Sequence, residues 1–167
     1  ASGSFQAASG TGTVNFGNGG AGTYTLNGSM HNSATLRLAS VPNNTTVNIG
    51  GTYFLGTANS TLIASGAGGA GCAYNLTGTF VGFATGTICS IPGTLTITGT
   101  VSVIAGTLTV ASSGAAITAN INSGASLTAT GSGVILDCSA SASVTYNFNG
   151  GTITGTSGEI GRASCRE

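Results

Sequence analysis

Of the 167 residues, 40% are hydrophobic and only 4% charged: three basic, three acidic, one histidine and a formal net charge of zero. With so few cations, and no lysine among them, a basic patch for nucleic acid is excluded. An acidic solvating tail and most acid–base catalysis are excluded too, because their side chains are missing.

The elements read as strands from one end to the other. In the N-terminal part, Tyr24/Leu26, Leu36/Leu38 and Val47/Ile49 alternate with polar residues. From Thr94 to Val103 the alternation is unbroken. Leu95, Ile97, Gly99, Val101 and Val103 line one face, and Thr94, Thr96, Thr98, Thr100 and Ser102 line the other. This period of two predicts one half-buried strand or two consecutive ones. The same grammar continues through Leu108/Val110, Ile117/Ala119/Ile121, Leu127 and Val134–Leu136, then Val144/Tyr146/Phe148 and Ile153. Helix signals are nearly absent, for want of Glu, Lys, Arg and Gln. The prediction is an all-β chain of about 158 residues in one domain. Residues 1–90 are less regular, and 91–158 are repeat-like.

Disorder pairs low hydrophobicity with high net charge. At a mean hydropathy of +0.37 and no net charge, this chain is expected to fold. No apolar run reaches the roughly 18 residues of a transmembrane helix. No charged and apolar leader opens the chain. Ala1 stands in a Ser/Gly-rich stretch, as in a processed mature chain or an internal fragment.

Two architectures compete. A β-sandwich needs hairpins, for which Asn18-Gly19, Asn27-Gly28 and Asn149-Gly150 offer turn dipeptides. The middle of the chain lacks such dipeptides and instead repeats GTLTITG, GTLTVAS and ASLTATG. Quasi-repeated short strands suit a parallel β-helix or solenoid, where each coil buries its apolar residues against the next. The solenoid is the first expectation and the sandwich the second, although the three Leu-Thr pairs begin at the uneven positions Leu95, Leu108 and Leu127.

Over roughly Ser90 to Thr156, these runs resemble the β-helical passenger regions of bacterial surface adhesins of the autotransporter and filamentous-haemagglutinin type. The resemblance implies a right-handed parallel β-helix, exported to the cell surface and used for attachment. It transfers no catalytic residue. The last nine residues, Glu159–Glu167, read EIGRASCRE and hold four of the six charges. They resemble the conceptual translation of a common short-read sequencing adapter, and are set aside from fold reasoning.

Candidate sites are few. Outside the tail, the titratable side chains other than tyrosine and cysteine are His31, Arg37 and Asp137. A glycosidase needs two carboxylates, and a Ser-His-Asp triad here would have no G-x-S-x-G elbow. The inventory offers no catalytic set, no metal site and no cofactor. His31 is expected in a loop or on the surface, and Asp137 at a turn. Cys72 and Cys89 lie 17 residues apart, near one solenoid coil, and form a candidate disulfide that competes with buried free thiols. Cys138 is left over.

The outward threonines Thr94, Thr96, Thr98, Thr107, Thr109, Thr128, Thr130, Thr152 and Thr154 form a candidate surface. Thr11/Thr13 and Thr23/Thr25 repeat its T-x-T pattern nearer the start. Such ranks resemble the water-ordering face of ice-binding solenoids, but the intervals between later pairs are 13, 21 and 24, which is not regular. Asn27, Asn43, Asn44, Asn59 and Asn75 each begin an N-x-S/T sequon. Three functions follow as expectations. The first is an extracellular structural or adhesive segment whose partners are glycans or other surface polymers. The second is a self-assembling filament subunit whose partners are copies of itself, with residues 1–16 as a donated strand. The third is an ice-binding surface.

Overall fold

The computed structural model describes residues 12–15, 20–30, 36–39, 41–55, 60–65, 71–82, 86–89, 92–103, 107–111, 116–129, 133–135 and 144–155. Among these there are sixteen strands and no helix. In chain order they are β1 (Gly12–Asn15), β2 (Thr23–Met30), β3 (Leu36–Ala39), β4 (Thr46–Leu55) and β5 (Ser60–Ser65). Next come β6 (Ala73–Leu76), β7 (Thr79–Gly82), β8 (Gly86–Cys89), β9 (Gly93–Ile97), β10 (Thr100–Val103) and β11 (Thr107–Ala111). The last are β12 (Ile117–Asn122), β13 (Ser126–Ala129), β14 (Gly133–Ile135), β15 (Val144–Asn149) and β16 (Thr152–Gly155).

Every pairing between these strands is parallel. Parallel neighbours need a crossover rather than a hairpin, so the sandwich is excluded and the chain is a parallel β-solenoid. Each coil visits three strand positions. The first column runs β2, β4, β6, β9, β12, β15. The second runs from the distal halves of β2 and β4 through β7, β10, β13 and β16. These two columns share one ten-stranded sheet, because β2 and β4 pass through both without a break. The third column, β1-β3-β5-β8-β11-β14, is a separate six-stranded sheet.

The turn dipeptides do not make hairpins. Asn27-Gly28 lies inside β2, and Asn149-Gly150 begins the corner between β15 and β16, which pair with β12 and β13 rather than with each other. Asn18-Gly19 lies outside the described residues. The long alternation from Thr94 to Val103 is two strands, β9 and β10, with a corner at Thr98-Gly99. This corner keeps parity, so Leu95, Ile97, Gly99 and Val101 all face inward and are buried.

Coil length varies while register holds. Thr46 lies opposite Ala73, Ala73 opposite Thr94, Thr94 opposite Thr118, and Thr118 opposite Thr145, advances of 27, 21, 24 and 27 residues. One insertion is visible at a corner. Ile97 and Thr100 align with Ile121 and Ser126, so the later corner is two residues longer. It closes as a turn in which the Ala125 N–H donates to the Asn122 carbonyl at 2.9 Å, with Gly124 at φ +93°. The corner absorbs the difference, and the next one, from Phe148 to Thr152, is a residue shorter with register kept on both sides; only a one-residue slip within a strand would swap the inner and outer faces. Leu127 therefore stays inside, fully buried.

The core is a stack of aliphatic and aromatic rungs: Val47, Tyr74, Leu95 and Ala119 in one register row, and Ile49, Leu76, Ile97 and Ile121 in the next. Each large aliphatic side chain removed from water contributes about 1.5–3 kcal/mol. Such stacking is the source of stability here, given a chain with almost no charges to pair.

The hydroxyl of Thr45 is out of place in this core. Thr45 is fully buried, and its Oγ1 has no hydrogen-bond partner among the described residues. An unsatisfied buried hydroxyl costs about 1–3 kcal/mol. Thr45→Val keeps the shape and is expected to raise stability by about 1 kcal/mol, read as a shifted midpoint in chemical denaturation. A lowered midpoint would show that the hydroxyl is satisfied.

Candidate functional site

The outward residues form ranks that run along the stack. In the first column, one rank is Thr23, Thr46, Ala73, Thr94, Thr118 and Thr145. The rank beside it is Thr25, Asn48, Asn75, Thr96, Asn120 and Asn147. In the second column, Thr52, Thr79, Thr100, Ser126 and Thr152 put a hydroxyl on five successive rungs. Beside them Ser102, Thr128 and Thr154 add a second hydroxyl over the last three rungs. Adjacent rungs of a parallel sheet are about 4.8 Å apart, and alternate residues along a strand about 6.6 Å apart. The second column thus carries a two-dimensional hydroxyl array.

The regularity lies in the stack, not along the chain. Thr94/Thr96 and Thr23/Thr25 belong to the first column, and Thr128 and Thr152/Thr154 to the second. Thr107/Thr109 and Thr13 belong to the third, where the backbone alone is described. Thr98 is a corner residue whose hydroxyl donates to the Leu76 carbonyl at 3.4 Å. Thr11 and Thr130 lie outside the described residues. The intervals of 13 and 21 therefore compared pairs in different columns, and the interval of 24 compared Thr128 with Thr152 although its register partner is Thr154. The irregularity they suggested does not exist in the second column.

Asparagines form ladders that the sequence reading missed. The Asn75 amide Nδ2 donates to Asn48 Oδ1 at 2.8 Å, Asn147 to Asn120 at 2.8 Å, and Asn149 to Asn122 at 2.9 Å. Each asparagine donates to the one in the preceding coil, 27 residues earlier. That recurring interval was the signal available. Asn75 is also a sequon residue, and its amide is committed to this ladder.

The candidate disulfide is not formed. Cys72 is a buried free thiol whose Sγ–H donates to the Pro42 carbonyl at 3.2 Å. A spacing of 17 is shorter than any coil in the first column, so Cys72 and Cys89 do not stack. Cys72 precedes β6 in the first column, whereas Cys89 ends β8 in the third, in register with Ile63 and Ala111. Cys72 is 1% exposed. Its peptide is expected to stay unmodified by a thiol reagent in native buffer and to label fully in denaturant, checked by mass spectrometry. Native labelling would contradict the packing.

His31, Asp137 and Cys138 lie outside the described residues, as does the segment Glu159–Glu167; Arg37 is placed in β3 by its backbone. Among the described residues no group of three His, Cys, Asp or Glu side chains comes together as metal ligands would. No helix among them is long and apolar enough to cross a membrane, which says nothing about a β-barrel.

Protein-family models, curated proteins and solved structures give no match to this chain. The chemistry of the surface is therefore read from its own groups. Threonine and serine hydroxyls both donate and accept, and asparagine amides do the same through separate atoms. None of them titrates. The ranks suit a neutral partner that is itself periodic and hydrogen-bonding.

Proposed function

We propose that this chain is a structural or adhesive segment of an extracellular, cell-surface β-solenoid, which holds neutral polymers such as glycans on its hydroxyl- and amide-bearing faces. The observation that carries the reading is the five-rung hydroxyl rank Thr52, Thr79, Thr100, Ser126 and Thr152. A single exposed hydroxyl binds weakly, since a neutral hydrogen bond is worth about 0.5–1.5 kcal/mol net. Repetition along a rigid stack compensates, as each contact after the first is intramolecular. A surface without charge also holds its partner independently of salt.

Co-sedimentation with insoluble polysaccharides tests this. Retention on at least one polymer is expected, at low and high salt alike. The variant T100V/S126A/T152V, which removes hydroxyls and keeps the strands, is expected to bind about tenfold more weakly, a loss of roughly 1.4 kcal/mol. Retention on no polymer, or unchanged retention by the variant, would sink the proposal.

One observation favours a second reading, ice binding: the hydroxyl rank keeps strict register, and over its last three rungs it is two residues wide. Thermal hysteresis and ice-recrystallisation assays on the wild type and the same triple variant separate the readings. Activity no greater than that of a control protein removes this one.

A further inference from the structure

The two ends of the ten-stranded sheet carry the same face. At one end, β15 is the last strand of the first column among the described residues, and its inner residue Phe148 is 53% exposed. The residues in register with Phe148, namely Ile49, Leu76, Ile97 and Ile121, are fully buried. Val144, Tyr146 and Ile153 at this end are half-buried against the core. At the other end β2 is the first strand of that column among the described residues, and Tyr24 and Leu26 are likewise half-buried. Position by position the two end strands read alike: Thr145-Tyr146-Asn147-Phe148-Asn149 against Thr23-Tyr24-Thr25-Leu26-Asn27.

We propose that these ends dock head-to-tail, with β15 and β16 of one copy pairing in parallel with β2 of the next, so that the solenoid continues through a filament of identical chains. The register follows from the internal stack. Thr145 meets Thr23, Tyr146 meets Tyr24, Asn147 meets Thr25, Phe148 meets Leu26, and Asn149 meets Asn27 in the next copy. Thr152 and Ile153 take the places opposite Ser29 and Met30; Asn149 to Thr152 spans one residue more than Asn27 to Ser29, a difference the corner absorbs as it does between Asn122–Ser126 and Asn149–Thr152. Inner residues thus meet inner residues and outer ones outer.

Three features select a second copy as the occupant. First, the pairing continues every rank with its own kind, including an aromatic pair at Tyr146/Tyr24. Second, the asparagine ladder has a direction. Asn149 already donates its Nδ2 to Asn122, which leaves its Oδ1 to accept from Asn27 of the next copy, the same sense as within the chain. Third, neither end strand carries a lysine, a proline or any charged residue, the usual guards against edge pairing. The joint is heterologous and does not close on itself, so its product is an open filament. A two-fold end-to-end dimer would either set the strands antiparallel, against the sense of every pairing among the described strands, or set inner faces against outer ones. This inference concerns the ends of the stack and is independent of what the hydroxyl faces bind.

The test uses the full 167-residue chain without polymer, followed by sedimentation velocity and electron microscopy over a range of concentrations. Concentration-dependent growth into unbranched filaments is expected. Phe148→Lys disables one end and Leu26→Lys the other, so each variant by itself should stay monomeric. An equimolar mixture should form dimers and stop there, because the intact β2 end of F148K fits the intact β15 end of L26K. Should a lysine variant lack the wild-type β spectrum, N27D/N149D on the exposed outer rank substitutes for it. That variant sets two carboxylates opposite each other only at the joint, so filaments should be lost at neutral pH and return in acid. A wild type that stays monomeric overturns the proposal. Single variants that assemble like the wild type overturn it equally.

Discussion

Replacing Gly99 by alanine is expected to destabilise the solenoid by about 3 kcal/mol or more, at or beyond the top of the usual range for overpacking. Gly99 is buried at the corner between β9 and β10, directly over Gly78 in the coil before. A Cβ there would fall on the Gly78 carbonyl oxygen and come within 2.7 Å of the Thr77 carbonyl carbon. Both obstacles are backbone, so no side-chain rotation relieves them. The same backbone holds the coils together: the Gly99 N–H donates to the Leu76 carbonyl at 3.1 Å, and the Thr100 N–H to the Gly78 carbonyl at 3.0 Å. Relief by separation would therefore break pairing between two coils in the middle of the stack. In a solenoid each coil touches only its neighbours, so weakening one interface uncouples the two halves. Thermal unfolding should move down and broaden or split into two transitions. Gly20→Ala is the control. A Cβ at Gly20 meets nothing within 4 Å, and the change should lie within about 0.5 kcal/mol. Equal midpoints for the two variants would refute the close approach of the corners.

Phe80→Ala is expected to cost about 3–5 kcal/mol, the range for emptying a buried aromatic site. Phe80 is 1% exposed in β7, and its register neighbours in the second column are Tyr53 and Val101. Neighbouring rungs are locked by backbone ladders above and below, so they can close only part of the void. The informative comparison is Phe148→Ala, which removes the same atoms from a side chain 53% exposed at the end of the first column. In a monomeric chain that change should cost less than half as much, because the ring has little to lose to water. Urea midpoints of the two variants, taken where the protein is monomeric, check it. Similar losses at both positions would refute the contrast between a buried Phe80 and an exposed Phe148.

Much of this architecture was legible without coordinates. The strict alternation of Leu95, Ile97, Val101 and Leu127 with Thr or Ser is a local property, and the structure buries all four. The split of the long run at Thr98-Gly99 was less legible, because a two-residue corner leaves the alternation undisturbed. Neighbour relations were not legible at all. The three Leu-Thr pairs that looked like successive repeats belong to three different columns: Leu95 to the first, Leu108 to the third and Leu127 to the second. Their uneven gaps were distances around a coil, not between coils. Cys72 and Cys89 misled in the same way, since one lies before the first column and the other at the end of the third in the same turn of chain.

The sequence by itself determined that this protein is all-β, which side chains turn inward, and that its surface offers hydroxyls and amides in place of charges. Each of these follows from the two-residue period of a strand and from the inventory of side chains, which need no knowledge of distant neighbours. Only the tertiary structure decided which threonines share a rank, which asparagines bond in ladders, and that β2 and β15 stand at opposite ends of one column with the same order of inner and outer residues. The reason is that parallel strands pair through backbone groups, whatever length of chain lies between them. Lengthening a loop costs little, about 0.6 kcal/mol for each doubling. Coils of 21, 24 and 27 residues therefore stack equally well, and spacing along the chain does not encode spacing across the sheet.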